Sequence, residues 1–546
     1  MRGATQAAPD LEAACPADHG WVFSGGKRQA LVPVGVVLLF FAGYSIAGLA
    51  YYWSFLTHYE DIALFDHVVW STLHGRFFQT TLGINFFAIH SMPILAAFVP
   101  IYALSPRAEW LILAQGFALA VTFLPVYRLA FLRLGSRAAA AMLGLAVLVN
   151  PYVLSAVPWA FHAETLAVPF IAAGFLAVER KRFGLLVLCS VVILLCKEHF
   201  GLCVAGFGIL WGIRWREWGR GSVLVTLGAF HIFLVFGRII PAFSPTGRHL
   251  MLSEGMGHFS RYSWLGHSVG EIIFGTLKRL PFVLKTVFIH FGGAKYLMGL
   301  LLLFFGAPLA APSFLLPGCA DLAANLLSAV PMPRGIAAYH TATLVPVLAC
   351  AAVYGCRRYA EMLRNVRPGV FAAAILAVNI GVGYIMAPLP LPGSLNLWRP
   401  WSLTLKPDPR VDSIREIIGQ EATISVQGNV AAHFTHVKRV FPFPKGVDEA
   451  EYIILYLQPT THNLHYPDEW RTRRQGMLVS FDAFLNVDRT EYFQALEGIL
   501  NDGRHIVIYW DDPWLVLRPS PVRESPHSAP EGISQALSRL KTLTGD

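Results

Sequence analysis

Residues 180–216, RKRFGLLVLCSVVILLCKEHFGLCVAGFGILWGIRWR, decide how the whole chain is read. Two apolar runs, about 183–197 and 199–213, are bracketed by Arg180, Lys181 and Arg182 on one side and by Arg214 and Arg216 on the other. Basic residues collect on the cytoplasmic side of membrane helices. Both brackets are therefore expected in the cytoplasm, and the two runs form a hairpin of membrane-crossing helices. Lys197, Glu198 and His199, at the tip of that hairpin, then lie on the outer face.

The composition agrees with this reading. Of 546 residues, 55% are hydrophobic and only 14% charged, with a mean hydropathy of +0.51. Soluble domains carry roughly a quarter charged residues. The deficit excludes an ordinary cytoplasmic enzyme and a disordered chain. The net charge of +9, from 43 Lys and Arg against 34 Asp and Glu, sits in short clusters between apolar runs. It marks cytoplasmic loops, so no nucleic-acid partner is expected. The seven cysteines form no CxxC pair; Cys15 lies in the N-terminal tail, and the other six, in or beside apolar segments, read as small apolar residues in the membrane. The chain carries no Walker loop, HExxH, GxSxG or dinucleotide fingerprint in a suitable context, which leaves a nucleotide-driven cytosolic reaction without support.

Working outward from the hairpin, the other basic clusters fix the topology. They are Arg128, Arg133 and Arg137; Arg220 beside Arg214 and Arg216; and Arg357, Arg358, Arg364 and Arg367. Consecutive clusters must be separated by an even number of crossings. The pattern predicts an α-helical polytopic membrane protein with about 11 transmembrane helices, each long enough to cross a bilayer or nearly so. Residues 1–30 are a cytoplasmic tail. Residues 31–52 are an uncleaved signal anchor, with cleavage near 47–50 as the alternative. Further helices follow at about 109–131, 138–157, 163–179, 183–197, 199–213, 221–241, 296–311, 313–330, 341–356 and 369–388, so that the transmembrane domain covers 31–390. Residues 91–104 and 281–292, short and proline-bearing, read as interfacial or re-entrant segments, and 242–295 as a long outer loop. From 395 to 546 the charge rises. β-like runs appear at 423–427, 451–457 and 505–510, and Asp511, Asp512 and Pro513 turn the last into 514–518. With helical patterns at 412–418 and 491–500, this is an expected extracytoplasmic α/β domain.

The remaining ionisable residues then fall on one side. Glu60, Asp61, Asp66 and His67 follow the first helix, and His90 ends the same outer loop. His162 and Glu164, Lys197 and Glu198, and Arg334 and His340 occupy three further outer turns. Ionisable groups at membrane depth usually mark a site, so one convergent pocket is expected. The alternative is ordinary solvated loop ends. Residues 61–73 (DIALFDHVVWSTL) carry an apolar stripe at Ile62, Phe65, Val69 and Leu73, the pattern of an amphipathic surface helix. Its acids face a cleft, or Asp61 is an N-cap and Asp66 the partner of a basic residue. The pairs His433/His436 and His462/His465, each spaced i, i+3, read as surface histidines in preference to metal ligands.

Several stretches resemble one family. They are HYEDIALFDHVVWSTLHGRFF (58–78), NFFAIHSMPILAAFVPIYAL (85–104), LPVYRLA (124–130), AFHAETLAVPF (160–170), CKEHFGL (196–202), AAYHTATLVP (337–346) and SVQGNVAAHF (425–434). Together they look like the signature of the multipass proteins catalogued as domain of unknown function 2079. That family is grouped with the C-type (GT-C) glycosyltransferases. The resemblance implies a GT-C-like fold, a polyprenyl-phosphate-linked sugar as donor, and an essential acid in the first outer loop. Asp61 matches the acid of the family's tyrosine–aspartate motif, with Tyr59 displaced by the inserted Glu60. Asp66 matches a second acidic position, where His67 replaces the usual Gln. Lys197 and Glu198 match a lysine–glutamate pair followed here by His199 instead of Asp. The base is thus Asp61, with Glu60 and Asp66 as alternatives.

Sugar transfer needs a carboxylate to take the acceptor proton and positive charge or donors for the leaving phosphate. Lys197, His340 and Arg334 are expected at the phosphate. His90, His162 and Glu164, beside Glu198, complete the cleft or hold a divalent metal, which the chemistry permits and does not demand. The expected partners are membrane lipid, the polyprenyl-phosphate sugar, and a glycan, lipid or protein acceptor, at the bacterial inner membrane with the N-terminus cytoplasmic and the C-terminal domain periplasmic. Two other classes compete: a transporter or flippase of a lipid or polar solute, and a non-catalytic membrane scaffold.

Overall fold

A computed structural model describes residues 27–254, 256–363, 366–389, 391, 403–458, 485, 487–520 and 531–544. His462 and His465 lie outside the described residues. The chain is mostly helical, with one small sheet toward its C-terminus. Among the described residues, five stretches are long and apolar enough to cross a membrane: Leu31–Trp53, Glu109–Leu134, Arg137–Trp159, Trp218–Phe243 and Pro368–Met386. The pair Leu280–His290 and Gly293–Leu303, bent by 67°, makes a sixth if counted as one span. Phe183–Cys196 and Gly201–Trp215 are helical where the sequence predicts spans, at 14 and 15 residues. Leu38, Leu39, Leu188, Phe230 and Phe233 stand exposed on these helices, an apolar surface suited to lipid and not to water.

Two predicted helices take another form. Over 296–330 the chain makes helix Gly293–Leu303, 3₁₀ turns at Ala307–Ala310 and Pro312–Gly318, and then helix Cys319–Leu327. Pro308, Pro312 and Pro317 each remove a backbone donor, so a continuous α-helical ladder cannot form there.

The basic clusters meet at one end of the bundle. Arg133 pairs with Glu179 at 2.5 Å, and Tyr354 donates to the same carboxylate at 2.6 Å. Arg357 donates to the Arg133 carbonyl. Lys181 and Arg220 both reach Glu217 at 2.9 Å. Helices then carry the chain from this end to the ionisable turns. Phe183–Cys196 runs from Arg182 to Lys197, Gly201–Trp215 runs back from His199 to Arg216, and Leu344–Met362 runs from His340 past Arg358. Gly201–Trp215 lies against Trp218–Leu234 through glycines. A Cβ on Gly221 would sit 2.5 Å from the Gly208 carbonyl oxygen, and one on Gly201 2.5 Å from that of Gly228. Small residues at such a seam let backbones approach closely.

The sheet has the order β2-β1-β3-β5-β4. Its strands are β1 (Thr423–Val426), β2 (Arg439–Pro442), β3 (Tyr452–Tyr456), β4 (His505–Asp511) and β5 (Trp514–Pro519). β1 pairs in parallel with β2 and β3, while β5 is antiparallel to both β3 and β4. Strand side chains alternate between faces. Ile453, Leu455, Leu515 and Leu517 pack under helix Arg489–Asn501 with Tyr492 and Leu496. The opposite face, with Ile424, Val440, Ile454 and Trp514, shares one core with Tyr52, Phe55, Tyr59 and Phe65 from the first helix and the turns after it.

This second contact corrects the reading of His433 and His436 as surface residues. His433 is buried, stacks on Tyr52 at 4.1 Å, and its Nε2 lies 3.0 Å from the Tyr52 carbonyl. His436 pairs with Asp66 at 3.0 Å. His433 thus meets the end of the first helix, and His436 meets helix Leu64–Leu73.

Candidate functional site

The first helix ends at Trp53, and Tyr59–Ala63 then makes a single π-helical turn before helix Leu64–Leu73. π-turns recur at functional sites because they turn one side chain out of helical register. Here that residue is Asp61, with φ −104° and ψ −107°. The turn is anchored by the Tyr59 hydroxyl, 2.7 Å from the Thr81 hydroxyl and donating to the Val440 carbonyl at 2.8 Å. Asp61 Oδ1 faces His162 Nε2 at 3.2 Å. An ionised carboxylate only accepts, so the Nε2 that faces it is the donor. The His162 Nδ1 is buried without a hydrogen-bond partner among the described residues. Glu60, next along, is more exposed. Partial desolvation, and then the negative charge of Asp61, raise its carboxyl above the ordinary range.

His162 is held on both sides. Its backbone N–H donates to Gln115 Oε1 at 2.9 Å, and the Gln115 amide donates to the Ala156 carbonyl at 3.0 Å. Its ring stacks on Tyr339 with centroids 3.4 Å apart, and Tyr339 stacks on His340 at 4.2 Å. Beside this stack, Lys197 Nζ meets Glu164 Oε1 at 2.8 Å, while the other Glu164 oxygen is buried without a partner. Lys197 takes an extended backbone (φ −164°, ψ 147°) that stops helix Phe183–Cys196 and turns its ammonium inward. Burial, and then the positive charge of Arg261, hold the His340 imidazole well below its usual range; His162 and Lys197 act the same way, against Glu164. His340 is therefore neutral near pH 7. Asp61, His162, Glu164, Lys197 and His340 thus gather from four separate stretches.

Arg261 and Tyr339 are the members that sequence reasoning missed. Arg261 lies on the short helix Gly257–Tyr262 and is half-buried. Among the described residues no carboxylate pairs with it. Its segment is tied down where the Ala329 N–H donates to the Arg261 carbonyl at 2.8 Å. A lone arginine in a Gly-, Ser- and His-rich stretch gives no pattern; only its neighbours in space reveal it.

His90 and Glu198 join on the flank of this group. His90 Nδ1 donates to Glu198 Oε1 at 3.0 Å, and the Ser91 N–H donates to Oε2 at 3.2 Å. Burial opposes ionisation of Glu198, but Lys197 and His90 outweigh it and hold the carboxyl well below its usual range. His249 and His258 stand next to His90, with ring centroids 6.2 and 5.5 Å from it. Among the described residues, His90, Glu198 and His249 form the group of metal-type donors. His162 and Glu164, predicted as partners of His90 around a cation, are taken up by Asp61 and Lys197 instead.

Two predicted site residues lie elsewhere. Asp66 is 1% exposed, and both of its oxygens are occupied. Tyr102 donates to one at 2.6 Å, and Thr435 and His436 meet the other. It joins helix Leu64–Leu73 to the segment before β2, because the helical spacing from Asp61 turns it to a different face. Arg334 donates through Nη1 to the carbonyls of Asn325 at 2.7 Å and Ser328 at 2.5 Å. These close the C-terminus of helix Cys319–Leu327, a place that favours a cation.

The profile of a family described as "Predicted membrane protein (DUF2079)" matches residues 51–484. No curated protein matches the chain. Two solved structures similar to it are both of ArnT from Cupriavidus metallidurans. The one bound to undecaprenyl phosphate is 12% identical, with 92% of this chain and 100% of that chain covered and a TM-score of 0.46. The one in the apo state is 15% identical, with 91% and 100% covered and a TM-score of 0.38.

Proposed function

This chain belongs to the DUF2079 family of predicted membrane proteins, and on that premise we propose that it is a C-type membrane glycosyltransferase. It transfers a sugar from a polyprenyl-phosphate donor to an acceptor hydroxyl on the outer face of the bacterial inner membrane. In this reading about 11 spans occupy 31–390, the tail 1–30 is cytoplasmic, and 395–546 is an outer domain that meets the acceptor. The meeting of the basic clusters at one end of the bundle supports this orientation, since such clusters stay in the cytoplasm.

The observation that carries the reading is the Asp61–His162 pair at 3.2 Å, backed by the Tyr339–His340 stack and bordered by Lys197 and Glu164. Asp61 takes the proton of the acceptor hydroxyl. The acceptor oxygen bonds to the anomeric carbon, the bond from that carbon to the phosphate oxygen breaks, and its electron pair leaves on the polyprenyl phosphate. His162 is a positioning residue that fixes the Asp61 carboxylate. Lys197 is already balanced by Glu164. The leaving phosphate therefore falls to Arg261, with His340 as a neutral hydrogen-bonding group.

The test is transfer of a labelled sugar from polyprenyl-phosphate donors by the full-length protein in lipid nanodiscs. Asp61→Asn is expected to lower transfer by about 100-fold or more with membrane insertion unchanged. Glu60→Gln is expected to retain most of it. Full transfer by Asp61→Asn removes the proposed base.

A further inference from the structure

We propose that His90, Glu198 and His249 form a binding site for a divalent transition-metal ion of the zinc class, with His258 as a fourth ligand. Three segments far apart in the chain supply it. His90 follows the 3₁₀ turn Phe86–Ala88, Glu198 opens the turn Glu198–Phe200, and His249 precedes Leu250–Leu252. One donor atom from each lies within 4.8 Å of the other two, and the His90–Glu198 pair is already at 3.0 Å. Around a tetrahedral ion with ligands at about 2.1 Å, donors stand roughly 3.4 Å apart. The set therefore needs side-chain adjustments of no more than about 1.4 Å, with the His90–Glu198 pair opening slightly, to close on an ion of that radius.

The donor set selects the metal. Two imidazoles and one carboxylate suit zinc and its neighbours, whereas magnesium and calcium prefer all-oxygen cages. Glu198 is preoriented, because the Ser91 N–H holds Oε2 and leaves Oε1 toward the histidines; such outer hydrogen bonds fix a ligand's direction. The Met251 N–H, which donates to His249 Nδ1 at 3.2 Å, is the one contact a metal on that nitrogen would replace. The His258 ring lies 5.5 Å from His90 and 6.1 Å from His249, within reach of the open position. A bound ion would fasten His249 and His258, and with His258 the helix that carries Arg261, onto the turn that carries Lys197. The metal site itself does not rest on the sugar-transfer reading.

The experiment uses the full-length protein in detergent, stripped with a chelator, reloaded with zinc chloride alone and desalted. Elemental analysis is expected to find about one zinc per chain, with a thermal midpoint several degrees higher than that of the stripped protein. The double variant His90→Ala/His249→Ala is expected to lose at least four-fifths of the zinc, while His505→Ala, far away on β4, keeps it. Magnesium chloride in place of zinc is expected to leave the midpoint unmoved. Should the double variant not fold, His249→Cys loaded with cobalt is read instead, and a sulfur-to-cobalt absorption band is expected. The proposal is overturned by wild-type protein that takes up no zinc, by zinc that survives in a folded double variant, or by a cobalt-loaded His249→Cys protein without that band.

Discussion

Asp61 and Asp66 are five residues apart and have opposite surroundings. Asp61 keeps one oxygen on His162 and a side chain 14% exposed, while Asp66 is enclosed with both oxygens occupied. Burial alone would raise the Asp66 pKa, but the charge and hydrogen bond of His436, with donors from Thr435 and Tyr102, lower it below the ordinary value. A carboxyl lowered on folding contributes stability above its unfolded pKa, and that contribution is lost as pH falls through the folded value. Contact between helix Leu64–Leu73 and residues 433–436 should therefore loosen below about pH 4. Hydrogen exchange of those residues should rise there, and in Asp66→Asn it should be raised already at neutral pH. Lys197 and Glu164 give a second expectation. Removing one member of a buried pair leaves an uncompensated charge. Lys197→Met should destabilise by about 3 kcal/mol, and Lys197→Met/Glu164→Leu should recover much of that in thermal denaturation. The candidates at 61, 162, 164, 197 and 340 were legible because ionisable residues inside apolar runs have few innocent explanations. The His436 partner of Asp66 was not, since the pairing joins residues 370 positions apart and leaves no local pattern.

At the scale of elements, periodicity and charge identified the apolar runs but not how each would terminate. The stretch near 304–318 is apolar enough to suggest a span, yet its prolines impose 3₁₀ turns. β2 was missed because Arg439–Pro442 is only four residues long and ends in proline, a residue tolerated at the sheet edge it occupies. The seam between Gly201–Trp215 and Trp218–Leu234 is closed by glycines whose value only the packed pair reveals. Gly221 faces the backbone of Gly208, with no room for a Cβ. Gly221→Val should wedge the two helices apart and destabilise by roughly 1–3 kcal/mol, seen as a lower thermal midpoint. Gly219→Ala, where nothing stands within 4 Å, should leave the midpoint unchanged.

Across the whole molecule the chain sorts its charges by end. Arginine clusters, Glu179 and Glu217 meet at one end, and Asp61, Glu164, Lys197, Glu198 and Arg261 lie at the other, where the sheet also docks. If that sorting follows the membrane, single cysteines placed at Lys445 and Arg216 should differ in labelling. On a background with Cys15→Ser and Cys319→Ser, whose remaining native cysteines are buried, a membrane-impermeant maleimide added to intact cells should reach position 445 and not 216, and lysis should expose both. Equal labelling in intact cells would contradict the proposed orientation. By itself the sequence determined that this is an apolar, many-helix chain with its basic loops on one side, because hydropathy and charge act through a solvent that every residue meets independently. Which ionisable residues come together, that Arg334 caps a helix while Arg261 has no carboxylate partner among the described residues, and that β1 and β2 bury their face against the first helix and the turns after it were decided only by tertiary structure. Those outcomes depend on distances between residues far apart in the chain, and packing alone sets such distances.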